Sequence, residues 1–259
     1  MPPGNYLVDI TKSPIALVNQ LGEGSWHLEI PADTRRAYRL AQLDDHRTLQ
    51  RRNFPWQPPL KLSLQARLSF KELPGTWGFG LWNDPFSFLL TYNRLVLRFP
   101  ALPQAAWFFY ASPQNYLSFR DDLPANGFLA ATFSSKKVST ALLALVSPLL
   151  ALVLIPKTSP VLRRALRRLI KQDASLVHTD VTEWHAYRMD WDIGQVSFYL
   201  DGALIMQTNI APSGPLSLVL WVDNQYAALP PKGRLRYGTL PNPKPAWMEI
   251  RELSFEEKA

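Results

Sequence analysis

Residues Lys61 to Phe70 (KLSLQARLSF) alternate apolar and polar side chains, the pattern of a β-strand with one face in a core and the other in water. Gly75 to Trp82 (GTWGFGLW) keeps the period but changes its chemistry, with Trp77, Phe79 and Leu81 on one face and Gly78 and Gly80 on the other. Glycine inside a strand marks a bulge or a close backbone approach. The aromatic face reads as core in preference to a pocket floor, since large apolar side chains are mostly interior. Further strands are expected at Leu95 to Phe99, Ala106 to Ala111, Phe128 to Phe133, Trp184 to Trp191, Val196 to Leu200, Leu216 to Val222 and Trp247 to Phe255. Asp201-Gly202 lies between two apolar runs as a hairpin turn. Many short strands with Gly and Pro turns and no long internal repeat predict an all-β sandwich or jelly roll, not a propeller or solenoid.

A chain of 259 residues with 47% hydrophobic content can bury a large core, and all-β units of this length are routinely one domain. Residues 1–259 are therefore expected to form a single domain. Cysteine is absent, which excludes a disulfide framework, a thiol nucleophile and a zinc ribbon. The start, MPPGNYLVDITKSP, has no basic stretch leading into an apolar one, so a cytoplasmic location is expected. The net charge is +7, but six basic residues (Lys157, Arg163, Arg164, Arg167, Arg168, Lys171) sit within positions 157 to 172 with no acid until Asp173. Without them 22 basic residues stand against 21 acidic ones. The excess belongs to one segment, which argues against a nucleic-acid groove across the fold.

That segment breaks the strand pattern. Val138 to Ile155 is an almost wholly apolar run of eighteen residues, and Val161 to Lys171 (VLRRALRRLIK) follows Pro156 and Pro160. Val161, Leu162, Ala165, Leu166, Leu169 and Ile170 recur at helical spacing, with the basic residues on the other face. Residues 136–176 are read as an inserted helical hairpin. The run is at the lower limit of a bilayer span and is interrupted by Ser139, Thr140, Ser147 and Pro148. Two readings stay open: a segment lying on an anionic membrane through Leu142, Leu145, Leu149, Leu152, Arg163, Arg164, Arg167 and Arg168, or a lid packed on the sandwich.

Trp184-His185-Ala186-Tyr187-Arg188-Met189-Asp190-Trp191 followed by Val196-Ser197-Phe198-Tyr199-Leu200-Asp201-Gly202 resembles two adjacent strands of the concanavalin A-like lectin and glucanase superfamily, in particular glycoside hydrolase family 16. Ala41-Gln42-Leu43-Asp44 and Leu64-Gln65-Ala66-Arg67-Leu68 are similar to that family's first core strands, and Gly75 to Trp82 to its "G-x-W-P-A-x-W" strand. The resemblance covers roughly residues 25 to 133 and 180 to 255 and implies a jelly-roll β-sandwich with a sugar cleft. It also implies a Glu-x-Asp-x-(x)-Glu motif on the next strand, carrying nucleophile and acid/base. This chain has Pro103-Gln104-Ala105-Ala106-Trp107-Phe108-Phe109-Tyr110-Ala111-Ser112 there, and Phe86 to Arg120 contains no Asp or Glu. Hydrolysis by two carboxylates is not expected.

The expected function is non-hydrolytic binding of a glycan, glycolipid or other lipophilic molecule in an aromatic cleft. The competing reading is an isomerase- or cyclase-type enzyme using Asp44, Asp45, Asp84 or Asp223 as acid/base on an apolar substrate in a closed pocket, or an atypical glycoside hydrolase. Ligand contacts are expected from Trp82, Asp84, Trp107, Phe109, Trp221, Asp223, Asn224 and Tyr226. Trp221 reads equally as core, Asp223-Asn224 equally as a turn, and Asn83-Asp84-Pro85 is also an ordinary turn. His46 beside Asp44 and Asp45 could do proton transfer, though a hydrogen-bonded loop cluster is the plainer reading, and His185 reads as structural. No phosphate loop, dinucleotide fingerprint or nucleophile elbow occurs, and no resident cofactor or metal is expected. Calcium, bound by some relatives of this fold, is left open.

Overall fold

A computed structural model of the chain describes residues 8–35, 37–85, 98–99, 101–136, 138, 143, 155 and 157–257. Two seven-stranded antiparallel sheets form the expected jelly-roll sandwich. The first runs in the order β1 (Asp9–Lys12), β4 (Leu40–Asp44), β13 (Ser217–Asp223), β6 (Thr76–Trp82), β7 (Ala105–Ala111), β8 (Gly127–Ser135), β9 (Ile170–Leu176). The second runs β12 (Ala203–Thr208), β11 (Gln195–Leu200), β10 (His185–Asp192), β5 (Leu60–Leu68), β16 (Ala246–Glu257), β3 (Ser25–Ile30), β2 (Leu17–Gly22). A short ribbon of β14 (Gln225–Ala228) and β15 (Arg236–Thr239) stands apart from both. Asp201 (φ 49°) and Gly202 (φ 82°) make the expected hairpin turn between β11 and β12, both in the left-handed conformation that fits strand twist.

Strand alternation builds the core between the sheets. Leu60, Leu62, Leu64, Ala66 and Leu68 of β5 are buried and face Trp77, Phe79 and Leu81 of β6 and Ala106, Phe108 and Tyr110 of β7 within one apolar cluster. The Trp77 ring is fully buried, as the core reading of that face requires. Phe108 meets Phe198 of β11 edge-on at 5.2 Å, and Phe79 meets Tyr187 of β10 at 5.0 Å, so aromatic contacts join the two sheets.

The first sheet is buried on its other face too. Phe109, Ala111, Leu129, Ala131 and Ala174 form a second cluster there, and Ala105, Phe133 and Ile170 a third. A strand covered on both faces shows no alternation, which is why β7 reads as an unbroken apolar run.

Helix α1 (Ser159–Leu169) opens with Pro160 in its first turn, where a missing backbone N–H costs nothing, and closes where Ile170 donates to the Leu166 carbonyl. Ile170 then begins β9, an edge strand paired along β8, so residues 170 to 176 of the segment read as helical are a strand. The Leu169-Ile170 pair suits either period, and the open edge of β8 decides between them. Val161 and Ala165, expected on the apolar face, are exposed. Leu142, Leu145, Leu149 and Leu152 lie outside the described residues, as do positions 95 to 97 of the strand expected from Leu95. Among the described residues no helix is long and apolar enough to cross a membrane.

Candidate functional site: the outer face of the first sheet

The outward positions of β6 are Thr76, Gly78, Gly80 and Trp82, and the two glycines create the site. A Cβ on Gly78 would lie 2.6 Å from Cη2 of Trp221, and one on Gly80 would lie 2.5 Å from Cβ of Trp107. The sequence signal for close approach is met by these two side chains from the flanking strands β13 and β7. With no side chain beneath them, the rings lie against the β6 backbone and converge, their centroids 5.5 Å apart. Trp107 is central, with Phe109 at 5.6 Å, Trp82 at 6.1 Å and Phe133 at 6.1 Å. Trp82, Trp107 and Trp221 are half-buried and offer partial ring faces. Phe109, expected to touch ligand, is only 4% exposed and supports the platform from within the second cluster. Phe108 and Tyr110 point the other way into the core, so only part of the acid-free aromatic run reaches this face.

One edge of the platform is polar. Nε1 of Trp221 donates to Oγ1 of Thr76 at 2.9 Å, and that hydroxyl donates to Oδ1 of Asp223 at 2.8 Å. The same oxygen accepts from the backbone N–H groups of Thr76 and Gln225, each at 3.2 Å. Burial nevertheless pushes the Asp223 carboxyl up to about 7, outweighing these donors and the Tyr38 hydroxyl. Gln42 of β4 stands directly opposite Trp221 and donates to Oδ2 of Asp44 at 2.8 Å. Thr76 and Gln42 escaped the sequence reading; their signal was period alone, since they share the outward register of Gly78 and Trp221.

Asn224, expected to touch ligand, is engaged by the surrounding loops. Its side chain is fully buried, accepting from the Arg39 N–H at 2.8 Å and donating to the carbonyls of Ala37 and Leu240 at 2.9 and 2.8 Å. It ties three loops together. Tyr226 belongs to the β14–β15 ribbon, where its ring packs over Gly238.

Asp84 also moves out of the expected site. It is fully buried at φ 46° just past β6, and its Oδ2 accepts from Nη1 of Arg98 at 2.8 Å. The His46 imidazole lies between two carboxylates, Nδ1 3.5 Å from Oδ1 of Asp44 and Nε2 3.7 Å from Oδ2 of Asp84. Arg98 also donates to the Leu49 carbonyl through Nε (2.9 Å) and Nη2 (2.7 Å), and to the His46 carbonyl. This is the hydrogen-bonded loop cluster of the plainer reading, with charges paired and bonded as buried charges must be. Asp45 faces away from the platform, accepting from Trp56 Nε1 at 2.6 Å and Leu218 N–H at 2.9 Å, and burial pushes it up to about 7.

Helix α1 closes one flank. Leu166 and Leu169 pack with Leu102, Phe119 and Trp107 around the third cluster. Arg163, expected beside the other arginines, is only 3% exposed. It donates to the carbonyls of Leu229 (3.1 Å) and Ser118 (3.0 Å) and pairs with Asp121 at 2.7 Å, which leaves Arg164, Arg167 and Arg168 exposed. On the second sheet His185, at the start of β10, bonds Asp201 at 2.6 Å and Thr179 at 2.8 Å, tying β10 to the β11–β12 turn. Among the described residues no cluster of three or more His, Asp or Glu could hold a metal ion.

No family model and no curated protein matches the chain. Solved structures do. LamAcat from Zobellia galactanivorans is 12% identical over 99% of this chain and 97% of that one, with a TM-score of 0.49. A Bacillus licheniformis β-glucanase is 9% identical over 99% and 97%, also with a TM-score of 0.49. A sialidase is 11% identical over 97% of this chain with a TM-score of 0.45, and the chain spans 17% of its length. At these identities the likeness is one of fold.

Proposed function

We propose that the outer face of the first sheet binds a carbohydrate-bearing ligand without hydrolysing it. The observation that carries this is the Trp107–Trp221 platform bordered by Gln42, Thr76 and Asp223, an apolar surface with a few convergent hydrogen-bonding groups. Carbohydrate rings stack on indole faces while amides and carboxylates orient their hydroxyls. The non-hydrolytic part rests on carboxylate placement. Asp44 and Asp223 are four strand positions out of register across β4 and β13, an offset of about 13 Å, beyond the separations that retaining or inverting hydrolysis uses. Asp44 and Asp84 are closer, but the His46 ring fills the space between them.

The test is calorimetric titration with neutral tetrasaccharides, wild type against Trp107→Ala and Trp221→Ala. Binding weakened about tenfold or more in each variant, with no reducing ends released by the wild type, is the expected result. Absence of binding at about 1 mM, or measurable hydrolysis, refutes the proposal. One observation favours a second reading, proton transfer to a bound ligand. Asp223, held near 7 beside an indole, has the titration of a general acid/base at neutral pH. Asp223→Asn would then abolish turnover while reducing binding far less than Trp107→Ala or Trp221→Ala.

A further inference from the structure

The outer face of the second sheet carries a separate groove of about 360 Å³. Its origin lies in one cross-strand row. Tyr199 of β11, Arg188 of β10, Ser63 of β5 and Ser254 of β16 are register partners in turn, so two serines lie beside two long side chains. One strand step away, Ala186 pairs with Gln65. Small residues make the trough and large ones its walls. Arg188 lies flat on the Tyr199 ring, its guanidinium carbon 3.7 Å from the centroid, which fixes both in place.

The far wall is strained. The β16 register shifts between Arg251 and Ser254, and Glu252 at this bulge has φ 56°, a left-handed conformation that a residue with a Cβ rarely takes. The N–H of Leu253 is held at 3.2 Å by the Gly24 carbonyl of the β2–β3 hairpin. The bulge places Glu252 over the groove, where its Oε2 accepts from Nε2 of Gln65 at 2.6 Å, while Oε1 of Gln65 accepts from Nε and Nη2 of Arg251 at 3.0 and 2.8 Å. Among the described residues Oε1 of Glu252 accepts no hydrogen bond. Glycine or asparagine would sit at this φ with less strain than glutamate.

We propose that this groove is a second ligand site, for a neutral polyhydroxylated chain such as an oligosaccharide, with Glu252 as its recognition residue. The groove offers both donors and acceptors: the Glu252 carboxylate, the Glu256 carboxylate, which pairs with Lys61, an amide, two serine hydroxyls and a guanidinium whose charge is offset by Asp190 at 3.3 Å. Vicinal diols, which donate and accept at neighbouring atoms, satisfy such a set. A cationic sugar would favour the carboxylates and an anionic one the arginine. The volume lies at the small end of ligand pockets and suits a short stretch of chain.

The test uses the full chain titrated with neutral tetrasaccharides at about 1 mM, followed by backbone amide shifts. Expected are shifts at Gln65, Arg188, Tyr199 and Ser254 that persist in Trp107→Ala and Trp221→Ala. Glu252→Asn should lose them, with affinity down about tenfold, while its urea midpoint rises. Loss of the shifts in the tryptophan variants would assign binding to the platform alone and overturn this site while leaving the first proposal standing. Unchanged affinity in Glu252→Asn, a fall in its urea midpoint, stronger binding of an amino-sugar tetrasaccharide, or no shift at the four positions would each overturn it too.

Discussion

Asp223→Asn isolates the contest at the polar edge of the platform between burial and hydrogen bonding. Burial resists ionisation, while Thr76, Gln225 and Tyr38 favour it, and burial wins, raising the carboxyl from 3.8 to about 7. The sign follows from proton counts. Between pH 4 and 7 the folded chain holds a proton on Asp223 that the unfolded chain has released, so stability falls as pH rises through that window and stays low above it. Each pH unit is worth about 1.4 kcal/mol, so the loss at pH 8 approaches 4 kcal/mol as an upper bound. Asparagine has the same shape, its carbonyl oxygen can take the place of Oδ1 before Thr76 and Gln225, and it never ionises. Urea unfolding of the variant and wild type at pH 4 and pH 8 should therefore agree within about 1 kcal/mol at pH 4 and favour the variant by about 2 to 4 kcal/mol at pH 8. A variant less stable than wild type at pH 8, or a difference independent of pH, would show that the three donors to Oδ1 hold the carboxylate ionised and would refute the reasoning.

Gly80→Ala should cost about 3 kcal/mol or more in thermal unfolding, because the added carbon lies 2.5 Å from the Ala106 carbonyl oxygen and from Cβ of Trp107, and neither backbone can yield. Arg163→Ala should lower stability by about 2 to 3 kcal/mol by leaving the Ser118 and Leu229 carbonyls unpaired, whereas Arg164→Ala, Arg167→Ala and Arg168→Ala should each stay within about 0.5 kcal/mol in the same denaturant assay. Asn224→Ala removes three hydrogen bonds that join separate loops, and a loss of about 3 kcal/mol in urea is expected. If the exposed arginines meet an anionic membrane, co-sedimentation with phosphatidylserine vesicles at low salt should fall when all three are changed to glutamine; equal partitioning ends that idea.

Legibility in the sequence followed the solvent. β5 could be read residue by residue because one face is wet, and so could β10, whose burial alternates along its length. β7 was recognisable as a strand, and period two separated Trp107 and Phe109, nominated for the ligand face, from Phe108 and Tyr110; with both faces apolar, it is the pairing of Trp107 with Gly80 and of Phe109 with Gly78 that sets the first pair outward. β9 was hidden in a helical pattern because its strand state depends on the edge of β8. Trp107, Trp221 and Asp223 could be nominated from residue type and period. Asn224 and Arg163 could not be dismissed, because carbonyls from distant loops bury them.

By itself the sequence determined the β-sandwich class, the hairpin at Asp201-Gly202, the core face of β6 and the absence of a carboxylate motif from the strand beside it. Each depends on neighbours along the chain, through period, turn chemistry or plain composition. Tertiary structure alone decided that the glycines of β6 seat two tryptophans from different strands, that His46 separates Asp44 from Asp84, and that burial moves Asp223. These depend on residues 27 to 147 positions apart meeting across a sheet or a loop, and on the water they exclude, which no local pattern encodes.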